Sequence, residues 1–353
     1  MENFNEYKNN NNQNQPLISV VLPVYNVGNY INEALDSIFN QTIQDFEILI
    51  IDDCSTDNTL EVVHSYNDDR IVIITKEKNK GLIDSLNIGF KAATGKYIAR
   101  MDGDDINVQD RFEKQLQILE NNLQIKACGC WLKEFGFSNK IIKHKQNHDE
   151  IVARLLVSCP MSLGAVMLEK EWALNFKFDE TKVHVEDYDF WARSAWNGKL
   201  YNIQEVLYFY RVHKSQVSTI HNTSQKLGDV HIKIYLLKKL DYNASKYKDS
   251  LLEKMLYLKE HFTVKEFSLY LKFLKEIIKL NKKQRVFDTV ELKKVVNEIK
   301  NQLIFKIYFQ DSGLGINKRW RKRALLKMSP QDVLRIFVLK LKEKIKVWSR
   351  KKQ

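Results

Sequence analysis

Between residues 17 and 121, four short apolar, β-branched runs alternate with stretches of helical spacing, and this alternation limits the possible folds more than any other feature of the chain. The runs cover 17–25, 46–51, 71–75 and 97–101. The first three are nearly continuous in Val, Ile and Leu, as strands buried on both faces are. Helical patterns follow them over 29–40, from about Asp57, over 81–93 and over 110–121. Repeated strand-plus-helix units predict a parallel sheet with right-handed crossovers. Such a sheet takes its ligands beyond the carboxyl ends of its strands.

From about Lys126 the pattern loosens into shorter strand-like pieces around Cys128 and Ile141, a helix near 149–157, a strand at 163–168, a helix starting near Glu186 and a last strand at 206–212. Beyond residue 220 apolar residues recur at helical spacing with Lys and Glu between them. The expectation is an α/β domain over 16–218, a helical region over 222–316 and a basic tail over 317–353, with the boundary in the polar stretch 216–222. The Asn/Gln-rich start, 1–15, reads as disordered. It has neither a basic n-region nor an apolar core, so it is no signal peptide. No run reaches the ~18 apolar residues of a membrane-spanning helix. Four cysteines in 353 residues cannot form a disulfide framework. A cytoplasmic, soluble or peripheral protein is expected.

Charge is distributed very unevenly. Lys and Arg number 56 against 44 Asp and Glu, a net +12, yet residues 1–216 hold 23 basic and 31 acidic side chains. Residues 217–316 hold 19 and 11, and the last 37 residues hold 14 and 2. An acid-rich α/β half disfavours a nucleic-acid partner. In the tail, Leu334, Ile336, Phe337, Val338, Leu341, Ile345 and Val347 alternate with Lys340, Lys342, Lys344 and Lys346. That pattern describes an interfacial helix on anionic lipid, each basic residue near the surface adding ~1 kcal/mol. The alternative is a helix packed on its own domain with a solvated lysine face.

Three acidic clusters fall at strand or helix ends. Asp102, Asp104 and Asp105, with Gly103 between them, follow the fourth strand. Carboxylates bunched on one turn suit Mg²⁺ or Mn²⁺. An exposed acidic turn is one alternative, and a calcium loop using Asp102, Asp104 and Glu113 is another, which Ile106 and Asn107 fit poorly. Asp52 and Asp53 end the second strand. One of them could accept a nucleobase N–H while Tyr25, beside Pro23 and Asn26 at the end of the first strand, stacks on the base; Asp57 or Ser55 reads equally as a helix cap. Glu186 and Asp187 open a helix beside Trp191, where a carboxylate complements the helix dipole or serves as a general base. Finally, Arg211 and His213 end the last strand.

Taken in order, these segments resemble the family-two glycosyltransferases of the GT-A fold, over about 16–218. The stretch Ser19 to Asn26 looks like the opening strand, and Asp52-Asp53-Cys54-Ser55 is similar to the family's Asp-Asp-Gly-Ser, with Cys54 where glycine is usual. Asp102-Gly103-Asp104-Asp105 resembles the Asp-x-Asp metal motif, Glu186-Asp187 the Glu-Asp pair, and Tyr210-Arg211-x-His213 the closing strand. The resemblance implies a GT-A type, mostly parallel sheet flanked by helices, and a nucleotide-sugar donor, most often a UDP-sugar. It also implies Mn²⁺ or Mg²⁺ on the donor's diphosphate, and transfer with inversion to a glycan or lipid-linked acceptor. It implies further that Asp187 is the base, that Asp104 holds the metal with Asp102, Asp105 and His213, and that Arg211 and His213 face the diphosphate. Pro23, Tyr25, Asn26, Asp52, Asp53 and Asp102 then line the nucleotide, and Glu186 and Trp191 the acceptor side. The Gln-x-x-Arg-Trp motif of processive members is missing, since Ile316 precedes Arg319 at that spacing. Transfer of one or a few sugars is therefore expected. A non-catalytic nucleotide- or metal-binding protein docking through its tail, and a nucleotidyltransferase, are the competing functions.

Overall fold

The structure, a computed structural model, describes residues 15–213, 222–258, 261–310 and 316–350, with backbone alone at 222 and 341–350. Of the Asn/Gln-rich start, residues 1–14 lie outside the described residues, as do Lys214 and Ser218 of the closing segment. The chain forms two compact units, one of residues to Asn147 with Met161–Gln216, the other of His148–Pro160 with Val217–Gln353.

In the first unit, β1 (Ile18–Val24), β2 (Phe46–Asp52), β3 (Ile71–Thr75) and β4 (Tyr97–Arg100) lie parallel in the order β3-β2-β1-β4. All four run where the apolar runs predict. The sheet continues through β8 (Met167–Glu169), antiparallel to β4, then β6 (Ile125–Gly136), β9 (Lys199–Val212) parallel to β6, and β5 (Ile106–Asn107) antiparallel to β9; β7 (Ile141–Ile142) pairs with β6. This is the expected α/β sheet, with its mixed half added beyond β4. The helices between strands are α1 (Ile31–Phe39), α2 (Thr59–His64), α3 (Leu82–Ala92) and α4 (Arg111–Asn121).

The core follows from the strand composition. Val20 and Leu22 of β1, Ile48 and Ile50 of β2 and Ala99 of β4 pack with Ala34, Leu35 and Ile38 of α1, all fully buried. Each such aliphatic side chain contributes about 1.5–3 kcal/mol of burial. On the other face α3 comes in close at Gly89, where a Cβ would lie 2.5 Å from Val21 Cγ1.

Three sequence expectations need revision. The strand expected at 163–168 is a 3₁₀ turn, Leu163–Ala165, and pairing begins only at Met167. The Gly164 carbonyl there faces the buried Arg111 guanidinium rather than a strand neighbour. The pieces around Cys128 are one 12-residue strand, β6, whose partner β9 starts at Lys199 rather than Val206; register shifts near Cys130 and Trp131 absorb the break in pattern. The helix expected at 149–157, α5 (His148–Arg154), falls in the helical unit, where Arg154 Nη1 donates to both Glu298 carboxylate oxygens at 2.8 Å.

Short helices α6 (Lys170–Ala173) and α7 (Glu186–Ser194) complete the first unit. The second contains α8 (Asn222–Lys238), α9 (Asp249–Tyr257), α10 (Val264–Gln284), α11 (Thr289–Phe309), α12 (Lys318–Leu325) and α13 (Pro330–Arg350). Thr263 and Glu266 form a capping box on α10, and the Asp288 side chain accepts from Val290 N and Glu291 N to start α11. The tail is built into this unit. Trp320 of α12 packs against Phe262 and Phe267 and donates to the Phe262 carbonyl. Asp332 of α13, 2% exposed, pairs with Lys300 of α11 at 3.1 Å and lies 3.4 Å from Lys275. Burial works to protonate Asp332, but Ser329 and Lys300 outweigh it and hold the carboxyl below its ordinary range. Breaking one partner of a buried pair strands the other charge. Asp332→Ala should therefore cost the helical unit about 3–5 kcal/mol in denaturant unfolding, and an unchanged midpoint would show that the pair is not buried in solution.

Candidate active site

The sheet brings the loops after β1, β2 and β4 to one edge. After β1, Asn26 takes the left-handed conformation, φ 52°, and its N–H donates to Ser55 Oγ while its Oδ1 accepts from Thr56 N at 2.8 Å. Val27 N donates to Thr59 Oγ1, and Gly28 N to Asp57 Oδ2 at 3.0 Å. Asp57 thus ties two loops together as well as opening α2. Burial opposes its ionisation, but the Thr59 hydroxyl and the Gly28 and Thr59 N–H groups hold its carboxyl below the usual range. Cys54 sits at φ 64°, the region that favours glycine and costs a residue with a Cβ about 1–2 kcal/mol. Pro23 is within β1, opposite Ile51, and the Tyr25 ring is 47% exposed at the loop mouth.

Asp52 is fully buried and accepts from Ser55 N. Asp53, 5% exposed, accepts from Lys80 N at 2.8 Å and Gly81 N at 2.7 Å and pairs with Lys76 Nζ at 2.6 Å. Lys76 in turn reaches Asp84 and Ser85 at the start of α3. Asp53 therefore fixes the 76–81 loop through its carboxylate.

The acidic turn is held at both ends, by β4 before it and by the pairing of Ile106 with Phe209 after it. That pairing sets the turn against the end of β9. Asp102 Oδ2 lies 2.5 Å from Nη1 of Arg100, a buried guanidinium, and Asp102 N donates to the Tyr208 hydroxyl. Asp104 Oδ2 lies 3.0 Å from His213 Nε2, and the Asp104 carbonyl accepts from Arg211 Nε. Asp105 is fully buried; its Oδ1 accepts from Arg211 N at 2.7 Å and its Oδ2 has no hydrogen-bond partner among the described residues. Burial first, then the Asp102 charge, raises the Asp104 carboxyl, with His213 opposing. Burial, then Asp102 and Asp104, pushes Asp105 well above the ordinary carboxylate range. The calcium-loop alternative fails because Glu113 lies on α4 and accepts from Thr42 and Gln117.

Glu186 and Asp187 occupy the first turn of α7, half-buried, and Asp187 Oδ1 accepts from Tyr188 N at 2.6 Å. His184, just before them, has φ 68°. Burial, then the neighbouring Asp187 charge, pushes Glu186 up to about 7, with Arg100 opposing. Arg100 thus acts on both Asp102 and Glu186, and its own protonation is favoured by Asp102 against burial.

Two expected site residues are engaged by their neighbours. Trp191 is fully buried and donates to the Met161 carbonyl, so it belongs to the core beneath α7 and offers no surface to an acceptor. Arg211 is clamped: its guanidinium lies over the Tyr30 and Phe135 rings and pairs with Glu33 at 3.1 Å, which makes it a brace for the acidic turn. Sequence reasoning overlooked Arg100, Arg111, Gly164 and Tyr208. Arg100 carried a signal, a cation closing an otherwise apolar strand.

The donor set suits a hard divalent cation. Three carboxylates share one turn with an imidazole beside them, and one of them presents a buried oxygen without a partner. As placed, no three His, Cys, Asp or Glu side chains among the described residues converge as ligands.

Residues 19–194 match glycosyl transferase family 2. An uncharacterized glycosyltransferase of Haemophilus influenzae is 36% identical over 246 residues, 64% of this chain and 76% of its own length. The putative glycosyltransferase EpsE of Bacillus subtilis is 33% identical over 203 residues, 55% of this chain and 72% of its own. The structure of S. aureus TarS 1–349 in complex with UDP-GlcNAc aligns with a TM-score of 0.54 over 84% of this chain and 95% of its own, at 16% identity, a likeness of fold. The chain belongs to glycosyl transferase family 2. It is a glycosyltransferase with a GT-A fold.

The close approach at Gly164 gives a test. A Cβ there would lie 2.6 Å from Asp102 Oδ2 and 2.7 Å from Arg100 Nη1. Gly164→Ala should displace that pair and lower kcat on the order of 10²-fold, as small misplacements of reacting groups do. A parent-like rate in steady-state kinetics would show that the pair's position is not required.

Proposed function

We propose that this enzyme transfers a hexosyl or N-acetylhexosaminyl group, with inversion, from a UDP-sugar to a hydroxyl of a glycan or lipid-linked acceptor in cell-surface polysaccharide or lipopolysaccharide synthesis. It would work as a peripheral protein at the inner face of the cytoplasmic membrane. The reading is carried by one arrangement: the Asp102-Asp104-Asp105 turn at the carboxyl end of a parallel sheet, with Asp102 paired to the buried Arg100, whose charge also favours ionised Glu186 at the start of α7. A UDP-sugar donor is supported by the fold likeness to the TarS fragment, which was solved with UDP-GlcNAc. Tyr25, Asn26, Asp52 and the loop that Asp53 holds form the nucleoside side.

In this mechanism Asp187 takes the proton of the acceptor hydroxyl as its oxygen attacks the anomeric carbon. The bond from that carbon to the diphosphate oxygen breaks, and the nucleoside diphosphate leaves on the opposite face. A divalent cation held by Asp104, with Asp102, Asp105 and His213, would neutralise charge on the departing diphosphate. Burial and the neighbouring Asp187 charge raise Glu186, half-buried beside it, to about 7.

Supplied with Mn²⁺ and a panel of nucleotide sugars, the protein should release nucleoside diphosphate, slowly to water and faster to acceptor. Asp187→Asn should lower turnover about 10²- to 10⁴-fold, and Asp104→Ala should weaken Mn²⁺ binding in a titration followed by paramagnetic resonance. Pyrophosphate as product would indicate nucleotidyl transfer, and parent-like rates in Asp187→Asn would remove the assigned base. A second test uses pH. With Glu186 at about 7, kcat/KM should fall as pH drops below that value, because the added proton takes one of the two negative charges from the carboxylate pair. Glu186→Gln removes the like charge beside Asp187, so the acid limb should move to lower pH; a limb that stays in place belongs to another group.

A further inference from the structure

We propose that α12 and the first half of α13 form a surface that docks on anionic glycerophospholipid. The structure decides how this helix is oriented, which its residue pattern left open. At helical spacing, Asp332 and Arg335 face inward: Asp332 pairs with Lys300, and Arg335 donates to the Asn297 carbonyl and to the Asn297 and Asn301 side chains. Leu334, Phe337 and Val338 are consequently turned outward, while Val333, Ile336 and Leu339 stay half-buried. Leu334 is 63% exposed, Phe337 66% and Val338 45%. A helix that holds Asp332 and Arg335 inward and exposes Leu, Phe and Val has an apolar patch still to be covered.

Charge identifies what covers it. Lys318, Arg319, Lys322 and Arg323 of α12 are exposed and have no ion-pair partner among the described residues. Residues 317–353 hold only two acids, Asp332 and Glu343, against 14 basic residues, and Asp332 is engaged inside the unit. A second copy of the chain would bring the same cationic surface against itself, and like charges in apposition oppose that pairing. An anionic lipid headgroup layer offers counter-charge to the lysines and arginines and a hydrocarbon boundary to Leu334, Phe337 and Val338. No helix among the described residues is long and apolar enough to cross a membrane, so the contact is interfacial. Trp320 and the Lys300–Asp332 pair hold both helices on the unit before any lipid is met.

This deepens the location proposed above and is independent of the transfer chemistry. The test is flotation of the full chain with vesicles of phosphatidylcholine alone or with phosphatidylglycerol, beside a Leu334→Glu/Phe337→Glu variant and a Lys322→Glu/Arg323→Glu variant. Circular dichroism and donor turnover in solution report their folding and basal activity, which should match the parent because the substituted side chains are exposed. The parent should float with anionic vesicles, lose binding as salt rises, and bind about tenfold or more above either variant. Equal flotation of parent and variants, or equal flotation with phosphatidylcholine alone, overturns the proposal. So does a concentration-dependent dimer in sedimentation that only the Leu334→Glu/Phe337→Glu variant loses, which would make a second copy the occupant. Parent binding to duplex DNA in preference to the vesicles would overturn it as well. Loss of flotation with turnover intact separates this surface from the active site.

Discussion

A fully buried guanidinium, Arg111, holds together the framework beneath the acidic turn. From the first turn of α4 it donates to Asn107 of β5 at 2.5 Å, to Gln115 of its own helix, and to the carbonyls of Arg100 at the end of β4 and Val166 before β8, with Gly164 at 3.5 Å. Its planar fork of donors satisfies several backbone segments at once, which a lysine could not do. Tyr208 lies beneath it, 5.2 Å from the guanidinium carbon to the ring centroid. A buried cation persists only where its donors are satisfied. The turn carrying Asp102, Asp104 and Asp105 is therefore fixed from below by Arg111 and at its far side by Arg211.

This scaffold explains why like charges can be concentrated at one point. Carboxylates in low dielectric repel one another and resist ionisation, as the raised Asp104, Asp105 and Glu186 show. Arg100 offsets part of this repulsion. The same buried cation pairs with Asp102 and lowers the Glu186 carboxyl, so the two acidic clusters share one counter-charge. The site resembles a charge balance set near its tipping point more than a static acidic patch.

Much of this was legible in the chain. The four parallel strands follow directly from the alternation of β-branched runs, and the acidic turn, the Glu-Asp pair and Arg211 with His213 were visible as polar residues at strand or helix ends. What the sequence could not show depends on long-range contacts. Arg111 reads as an ordinary helix-start cation until the fold brings the carbonyls of Arg100, Gly164 and Val166 around it. Trp191 beside an acidic pair looks like a binding aromatic, and only tertiary packing turns it inward. The 163–168 run has strand composition, but its carbonyls are claimed by Arg111 and Gln115, so it turns instead. Cys54 occupies a glycine-like backbone position that its own side chain gives no reason to expect.

The placement of α5 has a consequence for dissecting the chain. Residues 148–160 leave the α/β unit in sequence and return to it at Met161, so the boundary between the units is crossed three times rather than once. Ile151, Val152, Leu155 and Leu156 are buried, and α5 is joined to α11 by the Arg154–Glu298 pair. A chain cut after residue 216 would keep this hairpin-like excursion but lose the helix that its arginine grips. Trimming the chain to its sheet would therefore leave the apolar face of α5 without the helical unit to which it belongs.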